Sequence, residues 1–404
     1  MARSDRRARL DRVHAESLPG RRAGGLRGSL AAPGRGRGTA GALAGRRLHG
    51  AGARLAPVCA HPGCSRRRER SVSGLTVVTG ATGFIGGHLV RQLVADGVHT
   101  RVLVRRPESL SAALRARVEV VRGDVRDAGT LVAAVRGAET VLHLAACARA
   151  WARDPAEFTA VNVHTVERLL ESAHAAGVSR LVHVSTMLTL PPGRPAPLDG
   201  LAARPTPYEE SKRAGERLVE SYAAAGRHAV IVHPTRVYGS GPCNDANAVT
   251  RVIALYLRGR FRVRLDDGDV LASYVHAADV ADGIRRAARA GRSGAHYVLG
   301  GENLSFRAFL DLVGEVSGVR RKVVALPRAA ALAAGYAALL WGRLGGDVAI
   351  TPGWVRVFLE HRPADVEPAR SDLGYAPRSA RAGVAETVAW LRGGGGTWPW
   401  QLAA

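Results

Sequence analysis

Tyr208 and Lys212, in the run Tyr208-Glu209-Glu210-Ser211-Lys212, stand four residues apart at the start of a helical pattern, which places both side chains on one helical face. A free phenol ionises near ~10 and is a poor acid or base at neutral pH, whereas a neighbouring ammonium favours phenolate and lowers that value. Lys212 is therefore expected to tune Tyr208 for proton transfer. It is one of only two lysines beside 56 arginines, and a compact ammonium fits between small polar groups where a guanidinium fork does not. The competing reading is a surface helix with an incidental Tyr and Lys.

A second constellation is Thr79-Gly80-Ala81-Thr82-Gly83-Phe84-Ile85-Gly86, which follows a β-branched run and opens a helical one. Gly80 permits a tight turn, Gly83 lets main chain approach a pyrophosphate, and Gly86 lets helix and strand pack closely. Phe84 and Ile85 supply N–H groups of the first helical turn, where the dipole favours an anion. This predicts a dinucleotide site rather than a plain glycine turn. At the end of the second β run an acid would bond a ribose 2′-hydroxyl and an Arg would suit a 2′-phosphate. The chain reads Val104-Arg105-Arg106-Pro107 there. NADP is the expected cofactor, with Arg105 its phosphate partner and NAD the alternative; a solvated pair in an Arg-rich chain is the competing reading.

The elements that must position these residues alternate in type. Short β-branched runs at Leu75–Thr79, Thr100–Val104, Val118–Arg122, Thr140–Leu144, Arg180–Ser185 and Ala229–His233 read as six strands. Helices fit between them, most clearly at Gly83–Ala95, Leu131–Arg136, Pro155–Ala176 and Tyr208–Ala225. That is an α/β fold, a Rossmann-type doubly wound parallel sheet. Pro191–Pro207 holds six prolines and reads as a loop beside the ligand crevice. Beyond it, helical patches near Asn247–Leu257, Ala278–Ala290, Ser305–Val316 and Ala329–Leu344 suggest a smaller substrate-capping region. The expected division is 1–72 as a disordered basic segment, 73–240 as the dinucleotide-binding domain, 241–395 as mainly the substrate-binding region, and 396–404 as a tail.

The glycine spacing is G-x-x-G-x-x-G, and with the Tyr and Lys it resembles the extended branch of the short-chain dehydrogenase/reductase superfamily, over about Leu75 to Arg392. The resemblance implies that Asp124, followed by Val125, holds an adenine amino group, that Ala145 in His143-Leu144-Ala145-Ala146 lines the cofactor, and that Pro234 to Val237 in Pro234-Thr235-Arg236-Val237 pass under the nicotinamide. It also implies a Ser or Thr after the fifth strand that bonds the substrate oxygen. The usual position falls on Met187, a departure, so either Thr186 serves by a one-residue shift or the triad is incomplete; Thr186 is the expectation, with Ser185 next, and the competing reading is that both merely cap the strand end. Asn162 resembles a family asparagine that supports the site, or else bonds main chain. In Tyr274-Val275-His276-Ala277-Ala278-Asp279, Asp279 is expected as an N-cap.

Dehydratase relatives carry an Asp-Glu pair where this chain has Met187-Leu188, and nucleotide-sugar enzymes carry an Arg where it has Ala272. The resemblance thus tilts toward dihydroflavonol-reductase, 3β-hydroxysteroid-dehydrogenase and hopanoid-associated members. It implies hydride exchange with a secondary alcohol or ketone, apolar substrates being favoured over sugars; a sugar epimerase with retained nicotinamide and a cofactor-binding protein without turnover stay as alternatives. Homodimers pairing Pro155–Ala176 and Tyr208–Ala225 are the assembly it implies.

Composition adds limits. The net charge is +24, of which +13 lies in residues 1–70, a Gly- and Ala-rich stretch with 17 Arg, no Lys and no hydrophobic periodicity. A nucleic-acid tail, a targeting peptide and translated sequence upstream of the true start compete for it, the last being preferred. Without interleaved aromatics, specific nucleic-acid binding is not expected. Four scattered cysteines argue for a reducing cytoplasm, and Cys59, His61 and Cys64 lack the further ligands a zinc site needs, so no metal is expected. The longest uncharged run in the C-terminal half, Ala329–Gly342, is too short to span a bilayer.

Overall fold

Continuous β-branched runs, buried at every position over Leu75–Thr79 and Ala229–Pro234, form a central sheet covered on both faces. The computed structural model describes residues 74–149, 151–198, 200–242, 245–346, 348 and 350–395. The basic segment 1–72, with Cys59, His61 and Cys64, lies outside the described residues, as does the tail with Trp398 and Trp400. The strands are β1 (Leu75–Thr79), β2 (Thr100–Val104), β3 (Glu119–Arg122), β4 (Ala138–His143), β5 (Arg180–Val184), β6 (Ala229–Pro234), β7 (Arg236–Tyr238), β8 (Val263–Leu265), β9 (Leu271–His276), β10 (His296–Leu299), β11 (Glu302–Ser305) and β12 (Val324–Leu326). The helices are α1 (Phe84–Ala95), α2 (Ala112–Arg115), α3 (Ala128–Val135), α4 (Ala156–Thr159), α5 (Thr165–Ala175), α6 (Pro207–Ala224), α7 (Ala248–Leu257), α8 (Ala277–Ala290), α9 (Phe306–Ser317), α10 (Arg328–Arg343), α11 (Pro352–Leu359), α12 (Glu367–Leu373) and α13 (Ala380–Arg392).

A seven-stranded sheet in the order β10-β6-β5-β4-β1-β2-β3 is parallel throughout. This is the doubly wound Rossmann-type arrangement read from the sequence. Neighbouring residues of β1 feed opposite cores: Val78 packs with Leu89 and Leu93 of α1 and Ile284 of α8. Val77 packs with Leu131 of α3, Leu169 of α5 and Val219 of α6. The seventh strand, β10, was not legible as a strand; it comes from beyond residue 240 and pairs with β6. A three-stranded sheet, β11-β9-β7, and the β12-β8 pair build the rest of the C-terminal half.

The helix expected over Pro155–Ala176 is broken by a π turn at Ala160–His164, which carries Asn162. Asp279 does not cap α8. The His276 ring accepts the cap bond from the Ala278 N–H, and the Asp279 carboxylate instead pairs with Arg378 at 3.0 Å. Among the described residues no helix is long and apolar enough to cross a membrane.

Candidate active site

A cavity of about 1130 Å³ opens outside the carboxyl ends of the sheet strands, the crevice position of open α/β folds. Its floor begins with the glycine turn. Gly80 has φ +74°, and a Cβ there would lie 2.7 Å from the Ala145 nitrogen, so only glycine lets β1 turn under the end of β4. A Cβ at Gly86 would run into the Gly80 carbonyl oxygen. Helix α1 starts at Gly83 with no side-chain cap and no acid in its first turn, which leaves its leading N–H groups to an anion. A cradle that a single Cβ would fill, ending on an uncapped helix, fits a pyrophosphate.

Arg105, Arg106 and Ser109 line the same cavity past β2, and Asp124, Val125 and Arg126 line it past β3. Both Arg105 and Arg106 are exposed, and neither forms an ion pair among the described residues. Asp124 is held by Arg126 through a two-pronged bond, Nε to Oδ1 at 3.1 Å and Nη2 to Oδ2 at 2.8 Å. That bond holds the Asp124 carboxyl below the usual carboxylate range, with Arg105 adding to the effect. Arg126 was missed in the sequence because one more Arg among 56 carries no signal.

The opposite end holds the phenol. Tyr208 and Lys212 both face the cavity from the start of α6, with Ser185 at the end of β5. Thr206 and Glu209 form a capping box, Thr206 N–H donating to Oε2 of Glu209 at 2.7 Å, so α6 starts in a fixed register. Burial pushes the Tyr208 phenol up to about 12, and a hydrogen bond with the Thr186 side chain opposes that rise. The expectation that Lys212 lowers this value is not met: the Lys212 Nζ donates to the Val184 carbonyl at 2.8 Å and lies 3.4 Å from His183 Nε2. Desolvation brings the ammonium down to about 8 while Glu216 opposes the shift. Of the two hydroxyl candidates, Ser185 lines the cavity and Thr186 does not; the Ser185 hydroxyl bonds Glu216, which also accepts from Thr189 at 2.7 Å, and the Thr186 hydroxyl accepts from the Leu188 N–H.

Of the residues expected at the cofactor, Gly80, Gly83, Phe84, Ile85, Gly86, Arg105, Asp124, Val125, Ala145, Tyr208, Lys212 and Val237 line the cavity. Pro234 does not; it ends β6 inside the sheet, paired with Leu299, and the chain reaches the cavity only at Val237. Asn162 ties the cavity wall to α6: its side chain accepts from Cys147 N–H at 2.8 Å and donates to Ser211 Oγ at 2.9 Å. Both readings of this residue hold together, since it bonds main chain and thereby supports the site.

A buried ionic chain behind the phenol was not anticipated. Arg356 of α11 bonds both Glu209 and Glu360, and Arg362 donates to Glu360 at 2.7 Å and to the carbonyls of Met187 at 3.1 Å and Leu190 at 2.8 Å. All four side chains are buried, so the C-terminal half fixes both the first turn of α6 and the turn after Thr186. Among the described residues no group of three or more His, Cys, Asp or Glu side chains is placed to hold a metal.

A profile described as the NAD dependent epimerase/dehydratase family matches residues 76–300. The chain belongs to that family. It is an NAD(P)-dependent enzyme of the extended short-chain dehydrogenase/reductase type. It is 33% identical over 313 residues to a 4-hydroxy-2-methyl-3-oxo-4-farnesyl-3,4-dihydroquinoline-1-oxide ketoreductase of Stigmatella aurantiaca, covering 75% of this chain and 92% of that one. Sterol demethylase protein B of Methylococcus capsulatus is 31% identical over 338 residues, covering 78% and 98%. The structure of MoeE5 in complex with UDP-glucose and NAD superposes with a TM-score of 0.61 at 28% identity, covering 80% of this chain and 99% of that one.

Proposed function

We propose that this family member is an NADP-dependent reductase of an apolar ketone, with Tyr208 as general acid. The observation that carries the reading is a single cavity with Tyr208 and the buried Lys212 at one end and a glycine phosphate cradle at the other. A protonated phenol is the form that a carbonyl oxygen needs as it gains negative charge. When bound, the nicotinamide supplies the hydride that reduces the carbonyl carbon. Thr186 orients the phenol, Lys212 keeps a positive charge behind it, and Tyr208 gives its proton to the developing alkoxide. Arg105 and Arg106, exposed and unpaired at the cradle end, suit a 2′-phosphate better than a bare hydroxyl.

The Stigmatella relative, named for a farnesyl-bearing ketone, supports an apolar substrate. A nucleotide-sugar epimerase is the second reading, favoured by the MoeE5 complex with UDP-glucose. Ala272 is buried in β9 and offers no clamp for a diphosphate. Arg362, whose main chain bridges to Ala272, spends its guanidinium on Glu360 and two carbonyls.

The test is loss of reduced-nicotinamide absorbance with NADPH and a panel of ketones carrying isoprenoid or steroid frames. Turnover should fall by about 10²–10⁴-fold in Tyr208→Phe. A purified protein that retains its nicotinamide and shows no net oxidation supports the epimerase instead. A Tyr208→Phe variant at full rate removes Tyr208 as the acid.

A further inference from the structure

Among the described residues, helix α10 is covered on one side only. Its buried residues are Ala331, Gly335 and Gly342, all small. A Cβ at Gly335 would lie 2.9 Å from the Pro352 nitrogen, and one at Gly342 would meet the Trp151 ring at 3.2 Å, so these positions let α10 lie close against α11 and the Trp151 segment. The large side chains are left on the outer face. Tyr336 is 42% exposed, Leu340 61%, Trp341 60% and Leu344 76%. Their spacing over two turns makes one continuous apolar stripe rather than scattered exposure. Core packing, one explanation for so apolar a helix, therefore does not account for this face.

The segment that carries the stripe is basic up to Asp347. From Gly318 to Gly346 the chain has five basic side chains and no Asp or Glu. Of these, Arg320, Lys322, Arg328 and Arg343 are exposed and make no side-chain hydrogen bond or ion pair among the described residues. A second copy docked on the same face would bring these cations together. An anionic surface would pair with them while taking up the apolar stripe.

We propose that α10 is a membrane-docking surface that lies in the headgroup region of a bilayer containing anionic lipid. Trp341 and Tyr336 suit that depth, since each carries an apolar ring with a polar atom that stays wet. The helix is too short and too one-sided to span, and it lies on the membrane instead. Its carboxyl end packs on Trp151, in the segment between cavity-lining Arg149 and Asp154, so docking sets the cavity rim beside the lipid. The docking surface stands independently of the proposed reduction.

Flotation of the full-length protein with vesicles of neutral phosphatidylcholine, with and without one quarter phosphatidylglycerol, tests this. The protein should float with the anionic vesicles, and added salt should weaken the association. Leu340→Ser/Trp341→Ser/Leu344→Ser should bind at least about tenfold more weakly, because three apolar side chains that enter the headgroup region are removed. Arg320→Gln/Lys322→Gln/Arg328→Gln/Arg343→Gln should lose the preference for anionic vesicles. All of these side chains are exposed, so melting temperature and NADPH affinity should match the parent protein. The proposal is overturned if the parent protein does not float. It is also overturned if the serine variant floats as well as the parent, which would place the contact elsewhere in the chain. Sedimentation showing a dimer that the serine variant splits, with no vesicle binding by either, would assign the stripe to a second copy.

Discussion

At the glycine end of the cavity the main chain itself forms the holding surface, whereas at the phenol end Tyr208 is placed by the first turn of α6, which Arg356 of α11 holds through Glu209. The first needs only local features: a strand, a turn with φ +74° at Gly80, and an uncapped helix. The second depends on buried charges contributed by residues about 150 positions apart in the chain, Glu209 and Arg356 among them. A cradle made of backbone tolerates change in its side chains but not in its glycines. A site held by buried ion pairs tolerates neither partner's loss.

The largest effect should come from breaking the second end. Arg356→Ala leaves Glu209 buried without a cation and Glu360 with Arg362 alone, and removing one member of a buried pair costs about 3–5 kcal/mol. Thermal unfolding should show a large fall in Tm, while Arg105→Gln, made at an exposed unpaired residue, should melt like the parent. Equal melting of the two variants would erase the contrast between the ends.

At the first end, Gly86→Ala forces the new methyl against the Gly80 carbonyl. Overpacking of that kind costs about 1–3 kcal/mol, and the displaced turn should also lose dinucleotide affinity, read by titration with NADPH. Retained affinity would mean that the turn does not carry the phosphates.

The pH dependence should single out Lys212. With its pKa brought down to about 8, the ammonium is present at neutral pH and disappears as pH rises through that value, so turnover should fall above about pH 8. Stability should move the other way. Between about 8 and the ordinary 10.5, the folded protein binds fewer protons than the unfolded chain, so the Lys212 contribution to stability improves as pH rises. A loss of rate that tracked unfolding would contradict this assignment.

The smallest of these effects is expected at Thr186. Thr186→Val removes one hydrogen bond to the phenol, worth about 1 kcal/mol, and should slow turnover about fivefold with little change in Tm. If Ser185→Ala had the larger effect, the hydroxyl that matters would be the one bonded to Glu216.

The same contrast explains what was legible in the sequence. Strands β1 and β2 and helix α1 were readable to within a residue because hydrophobic period and glycine chemistry are local signals. Tyr208 and Lys212 were readable from their i, i+4 spacing. The pKa of Tyr208 was not, because it follows from burial and from Thr186 across the fold rather than from the lysine one turn away. Strand β10 is a four-residue run whose place in the sheet is set by its partner β6. Arg356, Glu360 and Arg362 were invisible among so many arginines, since only burial separates them from solvated ones. The exposed face of α10 has the same composition as a core helix, and only packing tells the two apart.

The central claim is that this cavity holds a phosphorylated dinucleotide with its 2′-phosphate on Arg105. Side-by-side titration of the protein with NADPH and NADH, repeated on Arg105→Gln, tests it most directly. A charged hydrogen-bonded contact is worth about 1.5–3 kcal/mol, so NADPH should bind at least about tenfold more tightly than NADH, and the substitution should remove that advantage while leaving NADH affinity unchanged. NADH binding as tightly as NADPH to the parent protein would contradict it.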